Sequence, residues 1–142
     1  MSHENLEAVQ EVIAAVNDRD LDRYLAHCTD SIQLETPWAA VGGVYEGRDA
    51  IRRLFSDLGD TLPDFRLVIE RLEPVGSDRV LAFLRASATG RASGIAAGSG
   101  ALRATGPDIP TATVYDFAGG KIRRIRVFLN RQEALSAVGL RE

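Results

Sequence analysis

Arg85 is the residue in this chain with the most chemistry to account for. It lies in the run RVLAFLRASATG, where alternation puts it on one strand face with Leu81, Phe83 and Ser87, opposite Ala82, Leu84, Ala86 and Ala88. A guanidinium among apolar neighbours is costly to bury unpaired. One reading is structural: an ion pair with Glu35, Asp116 or another carboxylate, or a charge carried out to solvent on its aliphatic stem. The other is functional: a clamp for the anionic or carbonyl end of a ligand, with Ser87 and Thr113 adding hydrogen bonds.

Other reactive residues carry less. His27 and Cys28 are adjacent on a helix and point in different directions, so neither activates the other, and Cys28 is expected to be buried and inert. With His3 and His27 the only histidines, no zinc site is expected. Gly98-Ser99-Gly100 fits neither a nucleophile elbow nor a phosphate loop, so no cofactor is expected. Lys121, Arg123, Arg124, Arg126 and Arg131 could suggest an RNA surface. A net charge of −3 favours arginines that frame a dimer interface or pair with acids, and no nucleic-acid partner is expected.

The elements that position these residues come in a definite order. Asn5–Asn17 carries Leu6, Val9, Ile13 and Val16 at helical spacing. Asp20 can cap a second helix, Leu21–Cys28. Ser31–Thr36 alternates Ile32 and Leu34 against Gln33 and Glu35, a half-buried strand that Pro37 ends. Residues 38–45 read as a loop, and Arg48–Leu58 as a third helix with Gly59 just past its end. Two long strands follow around the turn Gly76-Ser77-Asp78. Gly90–Gly106, rich in Gly, Ala and Ser, reads as a weak strand pair or an ordered loop.

The strongest local signal is Thr111–Asn130, two β-rich runs around Gly119-Gly120. In its second run Arg123, Ile125, Val127 and Leu129 share one face, and Arg124, Arg126, Phe128 and Asn130 the other. Neither face is plainly solvated, which places this strand at the centre of a sheet. A short helix with Ala134, Leu135 and Val138 inward closes the chain. Helices first and strands later predict an α+β fold, helices on one face of a curved, mostly antiparallel sheet.

At 142 residues the chain is one domain, 1–142, by the usual size prior. Its composition, 45% hydrophobic and 26% charged, is that of a soluble protein. One cysteine excludes an internal disulfide and fits a reducing compartment. No apolar run approaches membrane-spanning length and the N-terminus is polar, so no membrane is expected and a cytoplasmic location is the default.

The order NDRDLDRYLAHCTDSIQLETP, then GRDAIRRLF, then VYDFAGGKIRRIRVFLNRQEALSAVGL resembles the SnoaL-like proteins, relatives of ketosteroid isomerase, limonene epoxide hydrolase and nuclear transport factor two. The resemblance implies a cystatin-like cone, with the sheet wrapped around the N-terminal helices and an apolar cavity open at one end. It implies that the outer sheet face makes a homodimer. On that fold Leu81, Phe83, Arg85 and Ser87 would face the cavity with Ile125, Val127 and Leu129, and Ala82, Leu84 and Ala86 would form a flat dimerising face with Arg124, Arg126 and Phe128. Thr36, Trp38, Phe55, Thr113 and Tyr115 would complete a ligand site, Trp38 at its mouth, and Tyr24 or Tyr115 could donate a hydrogen bond into it.

The known chemistries of these relatives map poorly onto the chain. An isomerase needs a carboxylate base and two oxyanion donors; those positions fall on Thr36, Val12 and Thr113. The epoxide-hydrolase relay would need carboxylates where Ser87 and Val127 stand. Arg85 and Glu35 are left as catalytic candidates, and alternation turns Glu35 away from Ile32 and Leu34; proton transfer would require Glu35 or Asp108. The expected function is therefore a pocket for a small apolar molecule, isomerase-, cyclase- or hydrolase-like on a carbonyl or polyketide-type substrate. The alternative is a non-catalytic ligand-binding or dimerisation module.

Overall fold

In a computed structural model that describes residues 2–36, 43–61, 64–87 and 109–139, the chain opens on helix α1, Ser2–Asp18. Its apolar stripe, Val9, Val12 and Ile13 with Ala8 and Ala15, is fully buried. The helix stops where Arg19 enters the left-handed region at φ 57°. Asn17 then reaches across to the sheet. Its Nδ2 donates to the Leu67 carbonyl and its Oδ1 accepts from the Leu67 N–H, each at 2.8 Å, so one side chain stands in for a neighbouring strand.

Asp20 caps α2, Leu21–Leu25, by accepting from the Arg23 N–H at 3.2 Å. This helix is shorter than the sequence suggests because Cys28 already belongs to strand β1, Cys28–Thr36. There Ile32, Leu34 and Thr36 are buried and Gln33 and Glu35 half-buried, the expected alternation. Part of the stretch read as a loop is instead β2, Gly43–Glu46, antiparallel to β1 with Leu34 opposite Tyr45. Helix α3 runs Arg48–Thr61, a turn longer than expected, with Gly59 inside it.

Strands β3, Arg66–Val75, and β4, Arg79–Ser87, pair around Gly76, whose φ is +65°. β5, Ile109–Ala118, and β6, Lys121–Phe128, pair around Gly119 and Gly120. Both glycines have positive φ, 58° and 82°, the backbone a two-residue hairpin needs to match strand twist. The sheet order is β2-β1-β6-β5-β4-β3, which puts β6 inside the sheet as expected. The β1–β6 pair is parallel and the rest antiparallel. Helices α1–α3 pack on the inner face. Helix α4, Arg131–Ala137, capped by Asn130, packs on the outer face. The fold is the expected α+β cone, and no described helix is long and apolar enough to cross a membrane.

The faces of β4 are the reverse of those expected. Val80, Ala82, Leu84 and Ala86 belong to the interior cluster with α1, whereas Leu81 and Phe83 pack outward against Ala134, Leu135 and Val138 of α4. The register is unambiguous: Val80 lies opposite Tyr115 and Ala82 opposite Thr113, while Tyr115 lies opposite Ile125 and Thr113 opposite Val127. The alanines admit close approach of a helix rather than of a second sheet. Two bulges also shift parity. One in β3 leaves Glu70 and Arg71 both exposed, and one in β6 turns Arg123 away from Ile125 towards Asp116.

Candidate functional site

Between the inner sheet face and helices α1–α3 lies a hollow with about 80 Å³ for the centres of water-sized atoms. That is several times the ~10–15 Å³ one water requires and about half the ~150 Å³ that accommodates benzene in an engineered cavity. Val12 and Val16 of α1, Leu54 and Leu58 of α3, and Phe65, Leu67 and Leu84 supply apolar wall; Leu34, Ile125 and Val127 complete it. The polar atoms are hydroxyls. Thr111, Thr113 and Tyr115 alternate down the inner face of β5 over roughly 13 Å of strand. Thr36 ends β1 across from them and Tyr24 comes from α2.

Thr111 Oγ1 donates to the Leu84 carbonyl at 3.4 Å. Tyr24 is 3% exposed and Tyr115 4%. The Tyr24 ring is fixed edge-on to Phe55, centroids 5.2 Å apart at 75°. Burial raises both phenols well above their ordinary range, and ionising either is further opposed by the nearby Cys28 thiol. Cys28 is itself pushed up to about 12 by burial, and its Sγ donates to the Tyr24 carbonyl at 3.4 Å. All three stay protonated at neutral pH. The site can orient a molecule and donate hydrogen bonds to it, and no described lining residue is a carboxylate or a cation.

The residues expected at this site divide between the two faces. Thr36, Thr113, Tyr115 and Val127 line the hollow. Phe55 stands behind its wall against Tyr24, and Leu129 packs on the same interior cluster. Trp38 and Asp108 lie outside the described residues, as does Gly90–Gly106. Arg85, Phe83 and Ser87 are on the outer face, so the cavity-facing assignment of these three is corrected. The Arg85 Nε donates to Glu70, whose carboxylate also accepts from Arg131 at 2.6 Å. Arg131 and then Arg85 hold the Glu70 carboxyl below its usual range.

Phe83 lies under the guanidinium carbons of Arg71 and Arg131, 5.1 and 5.3 Å from its ring centre. Arg131 also donates to the Thr111 and Leu84 carbonyls at 3.3 and 3.1 Å. Arg85 thus helps fasten α4 to the sheet. Its charge is cheaper there, paired and 41% exposed, than in a dry interior.

Glu35 also points outward and accepts from Arg124 at 3.1 Å, which removes it as a base for the hollow. Asp116, almost wholly buried, is ringed by Arg79, Arg126 and Arg123 at 3.3, 3.6 and 3.8 Å. Of the wall residues not anticipated, Thr111 was signalled by the parity of β5, where it shares its face with Thr113 and Tyr115; Val12, Val16, Leu34, Leu54, Leu58, Phe65 and Leu67 were expected only as core, and Leu84 was expected on the opposite face. Among the described residues no cluster of His, Cys, Asp and Glu could hold a metal ion.

The model of the SnoaL-like domain matches residues 9–125. Among curated proteins, none matches the sequence. Solved structures do. The chain is similar to Bal32a, from a soil-derived mobile gene cassette, at 23% identity and a TM-score of 0.71, covering 89% of this chain and 88% of that one. It is similar to TerC, co-crystallised with polyporic acid, at 18% identity and 0.72, covering 95% and 98%. A candidate SnoaL-like polyketide cyclase from Jannaschia sp. CCS1 aligns at 18% identity and 0.70, covering 96% and 92%. At these identities the likeness is one of fold.

Proposed function

The chain belongs to the SnoaL-like family, and on that premise we propose that its hollow holds the apolar end of a small carbonyl- or polyketide-type molecule. The observation that carries this reading is the lining: a mostly apolar wall with hydroxyl donors on one side and no ionised group among the described residues. Such a wall positions a molecule by burial and hydrogen bonding. It favours a binding or orienting role over proton transfer, because neither Arg85 nor Glu35 reaches it. The co-crystallisation of TerC with polyporic acid and the cyclase description of the Jannaschia protein are in keeping with a small organic ligand. Titration with toluene, followed by amide NMR, tests it. Shift changes are expected at Leu34, Leu84, Thr113 and Ile125, around the hollow. Saturating toluene that moves none of them rules the reading out.

Two copies of the chain pair through the part of the outer face that α4 leaves uncovered, β1 and β6. The Arg124–Glu35 ion pair supports this, because its side chains, 34% and 41% exposed, leave charged groups on that face for a second copy to meet. The alanine face first expected to make this contact is instead covered by α1.

A further inference from the structure

The outer sheet face carries more positive charge at one place than its own carboxylates balance. Arg79 at the start of β4 and Arg123 and Arg126 of β6 converge on Asp116, at 3.3, 3.8 and 3.6 Å. Among the described residues, none of these three guanidiniums has another ion-pair or hydrogen-bond partner. Elsewhere on this face Glu35 faces Arg124 alone, and Glu70 is shared by Arg85 and Arg131. Three positive charges around one negative charge leave a surplus of two. We propose that this arginine ring binds a doubly charged oxyanion, phosphate or the phosphoryl group of a phosphate monoester.

The sheet holds this surplus in place. Asp116 is buried and lies directly opposite Arg79 in the β4–β5 register. The Phe117 N–H donates to the Asp78 carbonyl at 2.8 Å and ties the two strand ends together. Arg126 is mostly buried, whereas the side chains of Arg79 and Arg123 are 38% and 51% exposed. An anion arriving from solvent meets two guanidiniums directly, with a third charge behind them. The carboxylate does not exhaust their donors: its Oδ1 accepts no hydrogen bond, and each guanidinium carries several N–H groups. Those forks match phosphate oxygens two at a time. One arginine neutralises a buried carboxylate, and further ones repel each other unless a second anion joins them. A dianion balances both surplus charges, and a singly charged diester balances one. Asp116 and Tyr115 are neighbours on β5 and point to opposite faces, so the ring is separate from the hollow and does not depend on what the hollow binds.

Amide NMR tests the site, with inorganic phosphate replacing sodium chloride at constant ionic strength and about pH 7.5, where a phosphate monoester is doubly charged. Saturable shifts are expected at Arg79, Asp116 and Arg123, with a midpoint of about 1 mM or below, what two hydrogen bonds to charged groups supply. Methyl phosphate separates the two sources of the group: comparable binding assigns the site to a monoester, and its exclusion assigns the site to the free ion. Dimethyl phosphate, singly charged, should bind at least about tenfold more weakly than phosphate. Arg79→Gln and Arg123→Gln should each weaken phosphate about tenfold. Arg52→Gln, at an exposed arginine of α3 on the other side of the sheet, should leave it unchanged. Circular dichroism checks that the variants fold, and the titration of the unmodified protein needs no variant at all. Shifts that do not saturate by about 20 mM phosphate overturn the site and leave the ring as a structural pairing for Asp116. Equal binding of dimethyl phosphate overturns it too, as does a loss of binding in Arg52→Gln equal to that in Arg79→Gln.

Discussion

Raising the pH should unfold this protein through three buried protons. Tyr24, Tyr115 and Cys28 are each at most 4% exposed, and burial raises all three pKa values above the ordinary 10.0, 10.0 and 9.0 of the unfolded chain. Above those values the unfolded chain releases protons that the native state retains. Stability must then fall as pH rises, by up to about 1.4 kcal/mol per pH unit for each group. Below pH 8 none of the three contributes a slope. Between pH 8 and 11 Cys28, with its native value near 12, removes about 3 kcal/mol, and each tyrosine on the order of 1 kcal/mol more. The total, about 5 kcal/mol, is comparable to the whole stability of an ordinary domain.

Tyr45, partly buried and likewise raised by burial, adds to the slope in the same window, so substitution assigns each share. Urea denaturation followed by far-ultraviolet circular dichroism at pH 8, 9, 10 and 11 measures the slope. Tyr115→Phe should remove on the order of 1 kcal/mol of the loss between pH 8 and 11, and Cys28→Ala two to three times that, whatever each substitution does to stability at pH 8. A stability that is flat to pH 11, or a slope that neither substitution changes, would refute the claim that these groups are dry and protonated.

Two further outcomes follow from contacts elsewhere. Asn17→Ala removes both hydrogen bonds to the Leu67 backbone and should cost about 2 kcal/mol at roughly 1 kcal/mol each; a loss under about 0.5 kcal/mol by urea denaturation would show that water replaces the side chain at that strand edge. Arg124→Glu sets a negative charge beside Glu35 at the uncovered outer face. Light scattering should then report the mass of one chain where the unmodified protein gives two, and an unmodified protein of single-chain mass would dispose of the pairing itself.

Much of the architecture was legible because its signals are local. Asp20, Gly119-Gly120 and the spacing of Val9, Val12, Ile13 and Val16 each act within a few residues, and each forms what its chemistry dictates. Strand β2 was missed because Gly42-Gly43 reads as a break, while its pairing with β1 is a tertiary matter. The faces of β4 were harder. Both faces of RVLAFLRAS are apolar enough to be covered, so parity separates them into two sets without saying which is inside. That depends on helix α4 arriving over Phe83 and on Glu70 being pushed outward by a bulge. Thr113, Tyr115 and Val127 were found because the central hairpin ties one face to the interior. Arg85 was misplaced because its partners, Glu70 and Arg131, are 15 and 46 residues away in sequence.

The parallel pairing of β1 with β6 bears on how the chain acquires its structure during synthesis. Leu34 is matched to Ile125, and the Ile122 N–H donates to the His27 carbonyl at 2.8 Å. The first third of the polypeptide therefore leaves the ribosome with its strand unable to dock. Ile32 and Leu34 remain available to solvent, or to a chaperone, until some ninety more residues have been translated. Contacts this distant slow folding and prolong the interval in which a nascent chain can aggregate. Truncation before Lys121 would leave β1 without its inner neighbour, however sound the helices that precede it.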